Sequence, residues 1–284
     1  MRSTLITLSR TMGQKANPNS LRLSSLSKSV FNGTSYKGEY PVTLKERLSV
    51  LSNLTTFFEK KRCLIKEIVF RVNKEKSLVL LWISFFEIKK RKSSKLRGTK
   101  SSVPLFFGAK KFLSTLTTFG YISSKRLVLR NLNKISLNYQ KTIFFKETTQ
   151  VRKNLKMFKN ERFFEPSISI FCLLNTMKGN SLLLSKFIAS FFKVAHRSKK
   201  KSNKFKFFLF KFIQSVNTSR KTPKKLKGLK ILIKGRFNRS DRSKKFLFEK
   251  GNLPTQSLRA DIDYSLTHLS TSFGVFGIHV WIFD

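Results

Sequence analysis

Acidic residues are scarce in this chain. Only 14 Asp and Glu accompany 59 Lys and Arg in 284 residues, so the formal net charge is +45 at pH 7. Because like charges repel one another across a compact surface, so large an excess excludes an isolated globular protein with a balanced surface. The chain needs an anionic partner, for which nucleic acid is the first candidate and a membrane surface the second.

Long apolar runs are also missing. The longest nearly apolar run covers residues 78–86 and is well short of the roughly 20 residues that a transmembrane helix needs. The basic residues are dispersed along the chain, which favours nucleic acid over a membrane as the partner. A hydrophobic fraction of 40% is sufficient for folded cores, and the length predicts two domains.

Groups that bind metals or perform catalysis are few. The chain has two cysteines, Cys63 and Cys172, and three histidines, none at zinc-ligand spacing. We expect no metal, no cofactor and no catalytic residue, with both cysteines buried. The alternative is an RNA-acting enzyme or splicing cofactor, because Asp261 and Asp263 alternate and two carboxylates can hold a divalent metal. A structural role in which Arg259 pairs with these acids is favoured, since no third acid accompanies them.

Phenylalanine, by contrast, is abundant. The chain contains 30 Phe together with many Lys and Asn, three residues that AT-rich codons encode. This bias indicates an organellar gene, and it argues against interpreting every Phe as a base-stacking residue. Residues 2–10, with two Arg and no acid, are compatible with a fragment of a mitochondrial targeting peptide or with a plain N-terminal extension.

The hydrophobic pattern of the first part predicts mixed helix and strand. Residues 12–41 show no periodicity and are predicted to form an irregular arm. Thr43 and Glu46 have the spacing of a capping box, which predicts that a helix begins there. Runs of β-branched and aromatic residues at 65–72 and 77–86 predict a hairpin. The helix has one apolar face, formed by Leu44, Leu48, Leu51, Leu54 and Phe58.

The second part predicts the same mixture. Residues 88–165 form a long basic stretch that we expect to order on RNA. A strand is predicted at 167–173, then a helix capped by Asn180 and a solvated basic linker at 197–204. The family resemblance described next implies an antiparallel sheet over about residues 228–283.

Two segments resemble a known family. Residues 12–23, MGQKANPNSLRL, and residues 258–264, LRADIDY, resemble almost residue for residue the opening and the C-terminal signature of the universal third protein of the small ribosomal subunit. About the last sixty residues resemble this family well. Residues 12–86 resemble it loosely, and residues 88–165 hardly at all.

The resemblance implies an α+β chain with two domains. These are a type II KH-like domain over 42–175, which contains the basic insertion at 88–165, and a C-terminal α+β domain over 176–284, preceded by an extension and arm at 1–41. The family's Gly-x-x-Gly loop, which brings the backbone close to a single strand, is missing, because no two glycines between 87 and 165 stand three positions apart. We therefore expect a degenerate KH domain without its clamp.

Cations on loops and strand ends are the candidates for phosphate binding. Neutralising phosphates gives affinity with little sequence information and tolerates many geometries. Gly235 joins the cations because a glycine permits close approach of the backbone to RNA, although a plain turn glycine is equally consistent. The predicted rRNA-binding residues are Lys15, Arg22, Lys230, Lys234, Gly235, Arg236, Arg239, Arg242, Lys244 and Lys245.

The resemblance also implies a helix at the entrance of the messenger channel, aligned here with residues 205–214. Lys204, Lys206 and Lys211 are its predicted mRNA-facing cations, while Phe207 and Phe210 stand where the bacterial pattern has cations. Channel lining is therefore expected, whereas strong unwinding of the message is not.

The predicted function is that of a structural, non-enzymatic constituent of the small subunit of a mitochondrial ribosome in the matrix. A plastid location is disfavoured by the missing Gly-x-x-Gly loop. The implied partners are small-subunit rRNA of the head, messenger RNA, and the ribosomal proteins numbered ten and fourteen.

Overall fold

The computed structural model describes residues 17–22, 31–32, 40–60, 62–73, 78–88, 125–132, 145–176, 180–216 and 226–283. Among the predicted features, Lys15, the segment 2–10 and most of the basic insertion lie outside these residues. The chain falls into two compact units. One spans residues 28–133, and the other combines residues 1–27 with 134–284.

The described residues of the first unit include a four-stranded sheet and one long helix. Helix α2 (Tyr40–Lys60) precedes strands β2 (Cys63–Asn73) and β3 (Leu78–Glu87), which pair antiparallel and confirm the predicted hairpin. The short strand β1 (Phe31–Asn32) pairs parallel with β2, and β4 (Lys125–Asn131) pairs parallel with β3.

Helix α2 differs from the prediction in two respects. It begins at Tyr40, before the predicted Thr43. Its C-terminal half packs as expected, since Leu54 and Phe58 are buried and the Phe58 ring lies 5.5 Å from that of Phe85. The prediction for Leu48 was wrong, because this side chain is 51% exposed. The packed face is therefore shorter than the apolar pattern.

The described part of the predicted irregular arm includes a helical turn, α1 (Pro18–Leu21), which belongs to the second unit. Pro18 occupies the first position of the turn, where its missing N–H is not needed. The Asn17 side chain caps the turn by accepting a hydrogen bond from the backbone N–H of Asn19 at 3.0 Å. An Asn-Pro pair thus starts a helix here, where the sequence interpretation expected only irregular chain.

Residues 145–176 also lie in the second unit, whereas the sequence interpretation assigned them to the KH-like domain. They form α3 (Phe145–Asn154), a single 3-10 turn (Lys156–Phe158) and α4 (Phe164–Thr176). The strand predicted at 167–173 was wrong, because these residues form most of α4. The helix is buried on nearly every side, so its sequence carries no helical period to set against its strand-like composition.

Two longer helices follow. The predicted helix after Asn180 is present as α5 (Ser181–Ala195), and α6 (Lys199–Val216) follows it almost directly. The linker predicted at 197–204 was wrong, because most of it forms the first turns of α6. Lysine is a good helix former, and Ser202 and Phe205 already continue the buried face of the helix.

The start of α5 is held by the sheet. Asn180 does not cap the helix with its side chain, which donates instead to the Leu173 carbonyl at 2.8 Å. The Asp263 carboxylate accepts a hydrogen bond from the backbone N–H of Ser181 at 2.8 Å. A carboxylate at a helix N-terminus is favourable both as a hydrogen-bond acceptor and against the helix dipole. Asp263 therefore has a structural role, as the sequence analysis favoured over metal binding. Its partner is the N-terminus of α5 and not the predicted Arg259.

The C-terminal sheet confirms the predicted antiparallel architecture. Its strands are β5 (Gly228–Gly235), β6 (Lys244–Gly251), β7 (Ile262–Thr271) and β8 (Gly274–Phe283), in the spatial order β6-β5-β8-β7. All neighbouring pairs are antiparallel. One face packs against α5 and buries the alternating residues of β5 and β8, which are Leu229, Ile231, Ile233, Phe276, Ile278, Val280 and Ile282.

Several single residues behave as predicted. Both Cys63 and Cys172 are buried and carry no disulfide. Trp281 is buried, as expected of a core residue rather than a base-stacking one.

Candidate nucleic-acid interface

Most of the predicted phosphate-binding cations lie within residues 234–245, which comprise the connection between β5 and β6 and the adjoining ends of both strands. We call this segment the basic loop. The side chains of Lys234, Arg236, Arg242, Lys244 and Lys245 are all exposed. The backbone of Arg239 lies in the short 3-10 turn Phe237–Arg239 of the same loop. Six predicted cations thus lie within twelve consecutive residues, with Asp241 as the one acid among them.

Phe237 anchors the basic loop to the core. Its side chain is only 3% exposed, and its ring centroid lies 4.4 Å from that of Phe246 and 5.1 Å from that of Phe276. Two hydrogen bonds fix the loop further, from Arg236 Nε to the Ser240 carbonyl at 3.1 Å and from Ser240 Oγ to the Arg242 carbonyl at 2.9 Å. A buried aromatic anchor and internal hydrogen bonds hold exposed cations on a loop of defined shape.

Gly235 has a packing reason to be glycine. A Cβ atom at this position would overlap the ring of Phe276. Since that ring is part of the core under Phe237, a side chain at 235 would displace the anchor of the loop. This accounts for the glycine without RNA, so a close approach of the Gly235 backbone to a phosphate stays a prediction.

Lys230 differs from the cations of the basic loop. Its Nζ pairs with Glu249 Oε2 on the neighbouring strand at 2.8 Å, and its side chain is only 18% exposed. The pair crosses from β5 to β6 in register. Lys230 therefore offers little positive charge to a phosphate while this pair is intact.

Arg22 requires a correction. The side chain was predicted to bind rRNA, but it is 1% exposed. Its guanidinium donates to the carbonyls of Pro18 at 3.0 Å, Thr255 at 3.0 Å and Ser257 at 2.6 Å. These bonds tie α1 to the segment before β7, so Arg22 positions backbone and does not reach phosphates.

Helix α6 carries the three predicted mRNA-facing lysines on two different sides. Lys200, Lys204 and Phe207 are exposed and, together with the half-buried Lys211, form a row at helical spacing that we call the outer stripe. Lys204 Nζ forms an ion pair with Glu161 at 2.6 Å, and Lys211 Nζ lies 5.7 Å from the centroid of Phe207.

Lys206 points to the basic loop instead. Its Nζ lies 4.6 Å from the ring centroid of Phe237 and 4.1 Å from that of Phe246, which is cation–π geometry. Burial, together with the charge of Lys244, lowers the pKa of Lys206 to about 8. The structure therefore separates Lys206 from the outer stripe, and this half-buried lysine supports the loop anchor.

The face of the sheet opposite α5 carries a polar–aromatic cluster that sequence reasoning missed. The Tyr264 hydroxyl lies 2.9 Å from His279 Nδ1, and the His279 ring stacks on Trp281 at a centroid distance of 5.6 Å. Burial, then the charges of Lys234 and His268, lower the pKa of His279 to about 4. The cross-strand pair Tyr264–Trp281 was visible only once the strand register was known.

This cluster predicts a pH dependence of stability. The folded pKa of His279 lies below the value of about 6.5 in an unfolded chain, so the unfolded state binds more protons between these values. We expect the free energy of unfolding to fall as pH falls from about 6.5 towards 4. Chemical denaturation of the full chain across this range measures it. His279→Gln is expected to flatten the curve, and parallel curves for both proteins would contradict the assignment.

The described part of the chain contains no group of three or more His, Cys, Asp and Glu residues placed to hold a metal ion. Among the described helices, none combines the length and apolar character that crossing a membrane requires.

Comparison with known proteins identifies the region around these surfaces. Residues 200–282 match the family described as ribosomal protein S3, C-terminal domain. The chain is 40% identical over 70 residues to the small ribosomal subunit protein uS3 of Fusobacterium nucleatum, which covers 25% of this chain and 32% of that protein. It is 44% identical over 55 residues to uS3 of Mycoplasma pneumoniae, covering 19% and 20%.

An organelle-type relative is also similar. The chain is 48% identical over 59 residues to the small ribosomal subunit protein uS3c of Tupiella akineta, covering 21% of this chain and 26% of that protein. The chain thus spans about a third or less of the length of these curated relatives. The predicted resemblance is confirmed for the C-terminal domain, and the matched family is one of structural ribosomal proteins rather than enzymes.

Proposed function

We propose that this chain, which carries a C-terminal domain of the ribosomal protein S3 family, is a structural constituent of a small ribosomal subunit and binds rRNA through the basic loop. The proposal rests on the observation that the residues matching the ribosomal family include the basic loop. The matched residues 200–282 contain nearly all of α6, the whole C-terminal sheet and the basic loop. Exposed cations on an anchored loop are suited to phosphates of a folded RNA.

The finer assignments rest on the sequence. The AT-rich coding bias and the missing Gly-x-x-Gly loop support a mitochondrial ribosome, while the similarity to uS3c of Tupiella akineta keeps a plastid ribosome as the competing location. We propose small-subunit rRNA of the head, messenger RNA and ribosomal proteins ten and fourteen as partners. The degenerate KH domain predicted at 42–175 and the C-terminal domain predicted at 176–284 remain part of this proposal, although residues 145–176 belong to the second compact unit.

The outer stripe is the proposed messenger-facing surface. The exposed Lys204 and the half-buried Lys211 lie on one side of α6, which supports a role in holding a passing strand by its phosphates. Lys206 leaves this set, because it lies over Phe237 and Phe246. We propose that the channel contact of α6 depends on Lys204 and Lys211.

Sedimentation tests the proposed function. The tagged full chain is expected to migrate with the small ribosomal subunit of its own organelle in a one-to-one ratio, and to dissociate from it only at high salt because its contacts are largely to phosphates. Quantitative mass spectrometry across the gradient measures the ratio. A chain that is substoichiometric or free of the subunit would favour the RNA-acting enzyme or splicing cofactor instead.

A further inference from the structure

One aromatic side chain stands among the cations of the outer stripe. Phe207 is 43% exposed, whereas three other phenylalanines of α6 are completely buried. Its ring touches Phe158 at a centroid distance of 6.0 Å, and Lys211 Nζ lies 5.7 Å from its centroid. Part of the ring therefore faces solvent on a surface that is otherwise basic.

The surroundings of Phe207 combine apolar and positive groups. Lys204 precedes it by three residues and Lys211 follows it by four, so all three lie on one side of the helix. At 1.5 Å per residue the two lysines are about 10 Å apart along the axis. Met157, which adjoins the Phe158 contact, is 72% exposed. An apolar strip thus lies between two cations.

The cations of the stripe are accessible to a polyanion. The Lys204 side chain is 49% exposed although it pairs with Glu161, and an exposed ion pair of this kind is weak enough to be exchanged for a phosphate. Lys206, one residue before Phe207, contacts Phe237 of the basic loop. Helix α6 thus carries the outer stripe on one side and contacts the basic loop from another, and two basic surfaces on one helix favour a long polyanion such as RNA over a short acidic peptide.

We propose that Phe207 stacks on an unpaired base of RNA lying along the outer stripe, while Lys204 and Lys211 hold the phosphates on either side of that nucleotide. The inference rests on the proposed function for its ligand, and it adds a preference that cations alone do not provide. A base inside a duplex has both faces stacked on its neighbours, whereas an unpaired base can offer one face to an aromatic ring. Phe207 has no hydrogen-bonding group, so the preference is for single strands and not for a sequence.

Binding of the full chain to two RNAs tests this. The probes are a short oligouridine and a hairpin duplex of equal charge, measured by fluorescence anisotropy at about 0.15 M salt. Since stacking contributes about 1–3 kcal/mol per base, Phe207→Leu is expected to weaken oligouridine binding about 5- to 150-fold and to leave duplex binding unchanged. Leucine keeps the apolar bulk and removes the aromatic face. Phe207→Trp is expected to bind at least as tightly as the native chain.

The matched control is Phe273→Leu, which removes a half-exposed ring from the turn between β7 and β8. It is expected to bind both RNAs like the native chain. The inference is overturned if Phe207→Leu binds oligouridine as tightly as the native chain, or if both RNAs weaken together. It is also overturned if polyglutamate of equal charge displaces oligouridine equally well from the native and Phe207→Leu chains.

Two further readouts separate this inference from the proposed function. Oligouridine containing 4-thiouridine is expected to cross-link to the peptide that contains Phe207, and cross-linking elsewhere only would contradict the stacking. The Phe207→Leu chain is expected to co-sediment with small subunits like the native chain. If the native chain fails to co-sediment, the proposed ribosomal role is wrong. The binding experiment with isolated RNA then still decides whether Phe207 stacks on an unpaired base.

Discussion

Replacing Arg236, Arg242, Lys244 and Lys245 together with Gln is expected to release the chain from the small subunit at salt concentrations that leave the native chain bound. Each of these exposed cations can neutralise one phosphate, and each phosphate contact contributes about 0.7–0.9 to the slope of log affinity against log salt. The slope for binding the isolated small-subunit rRNA is therefore expected to fall by about 3. Filter binding across a salt series measures it.

A control with the same change in charge isolates the basic loop. Lys153, Lys159, Arg162 and Arg259 are also exposed but lie outside the loop. Their replacement with Gln removes four charges and is expected to change the slope by less than one unit. If both quadruple variants lose the same slope, binding depends on total charge and the loop is not a defined rRNA contact. The control variant should unfold like the native chain because its four side chains are exposed. The loop variant should lose only the contribution of the hydrogen bond from Arg236 Nε to the Ser240 carbonyl, because none of its four side chains is part of the core.

The hairpin is predicted well because its residues form β-branched and aromatic runs, whereas the C-terminal sheet is predicted from the family resemblance. The register that joins Tyr264 to Trp281 could not be predicted, since it depends on pairing between strands. Helix α4 was taken for a strand because its residues are buried on nearly every side, which removes the period that distinguishes the two structures. The dense positive charge of residues 197–204 predicts a linker, but the good helix propensity of lysine allows most of this segment to form the start of α6.

Some of the predicted phosphate-binding residues are exposed in the structure and others are not, and this difference has a physical reason. A sequence shows which residues are cations but not which of them already have partners inside the fold. Lys230 pairs with Glu249, Lys206 lies over Phe237, and Arg22 is buried among carbonyls. The cations of the basic loop are exposed instead, because they lie close together in a short segment that Phe237 anchors to the core. Local clustering was therefore the better sequence signal for an exposed basic surface.

Phenylalanine shows the same limit. The coding bias argues against interpreting every one of the 30 Phe as a base-stacking residue, and the buried rings of α4, α5 and α6 agree with that interpretation. Phe207 differs from them only in its exposure, which depends on the packing of α6 against the 3-10 turn at Phe158. No pattern in the sequence separates it from its neighbours.

Replacing Arg22 with Leu is expected to lower the free energy of unfolding of the second unit by about 2–4 kcal/mol. The change leaves the carbonyls of Pro18, Thr255 and Ser257 without their charged donor in a buried position, and a hydrogen bond to a charged group contributes about 1.5–3 kcal/mol. Leucine fills part of the volume, so the loss reflects mainly the missing hydrogen bonds. Chemical denaturation of the full chain measures the change.

Hydrogen exchange locates the effect of the Arg22 substitution. Because Arg22 joins α1 to the segment before β7, amides near 18–22 and 255–262 are expected to exchange faster, while those of β5 and its neighbour β8 keep their protection. Arg22→Lys retains the charge but lacks the planar fork that reaches several carbonyls, so it is expected to recover less than half of the loss. A variant that unfolds like the native chain but binds rRNA more weakly would restore Arg22 to the phosphate-binding residues. The buried geometry predicts the opposite result, a clear loss of stability with an unchanged salt slope for RNA binding.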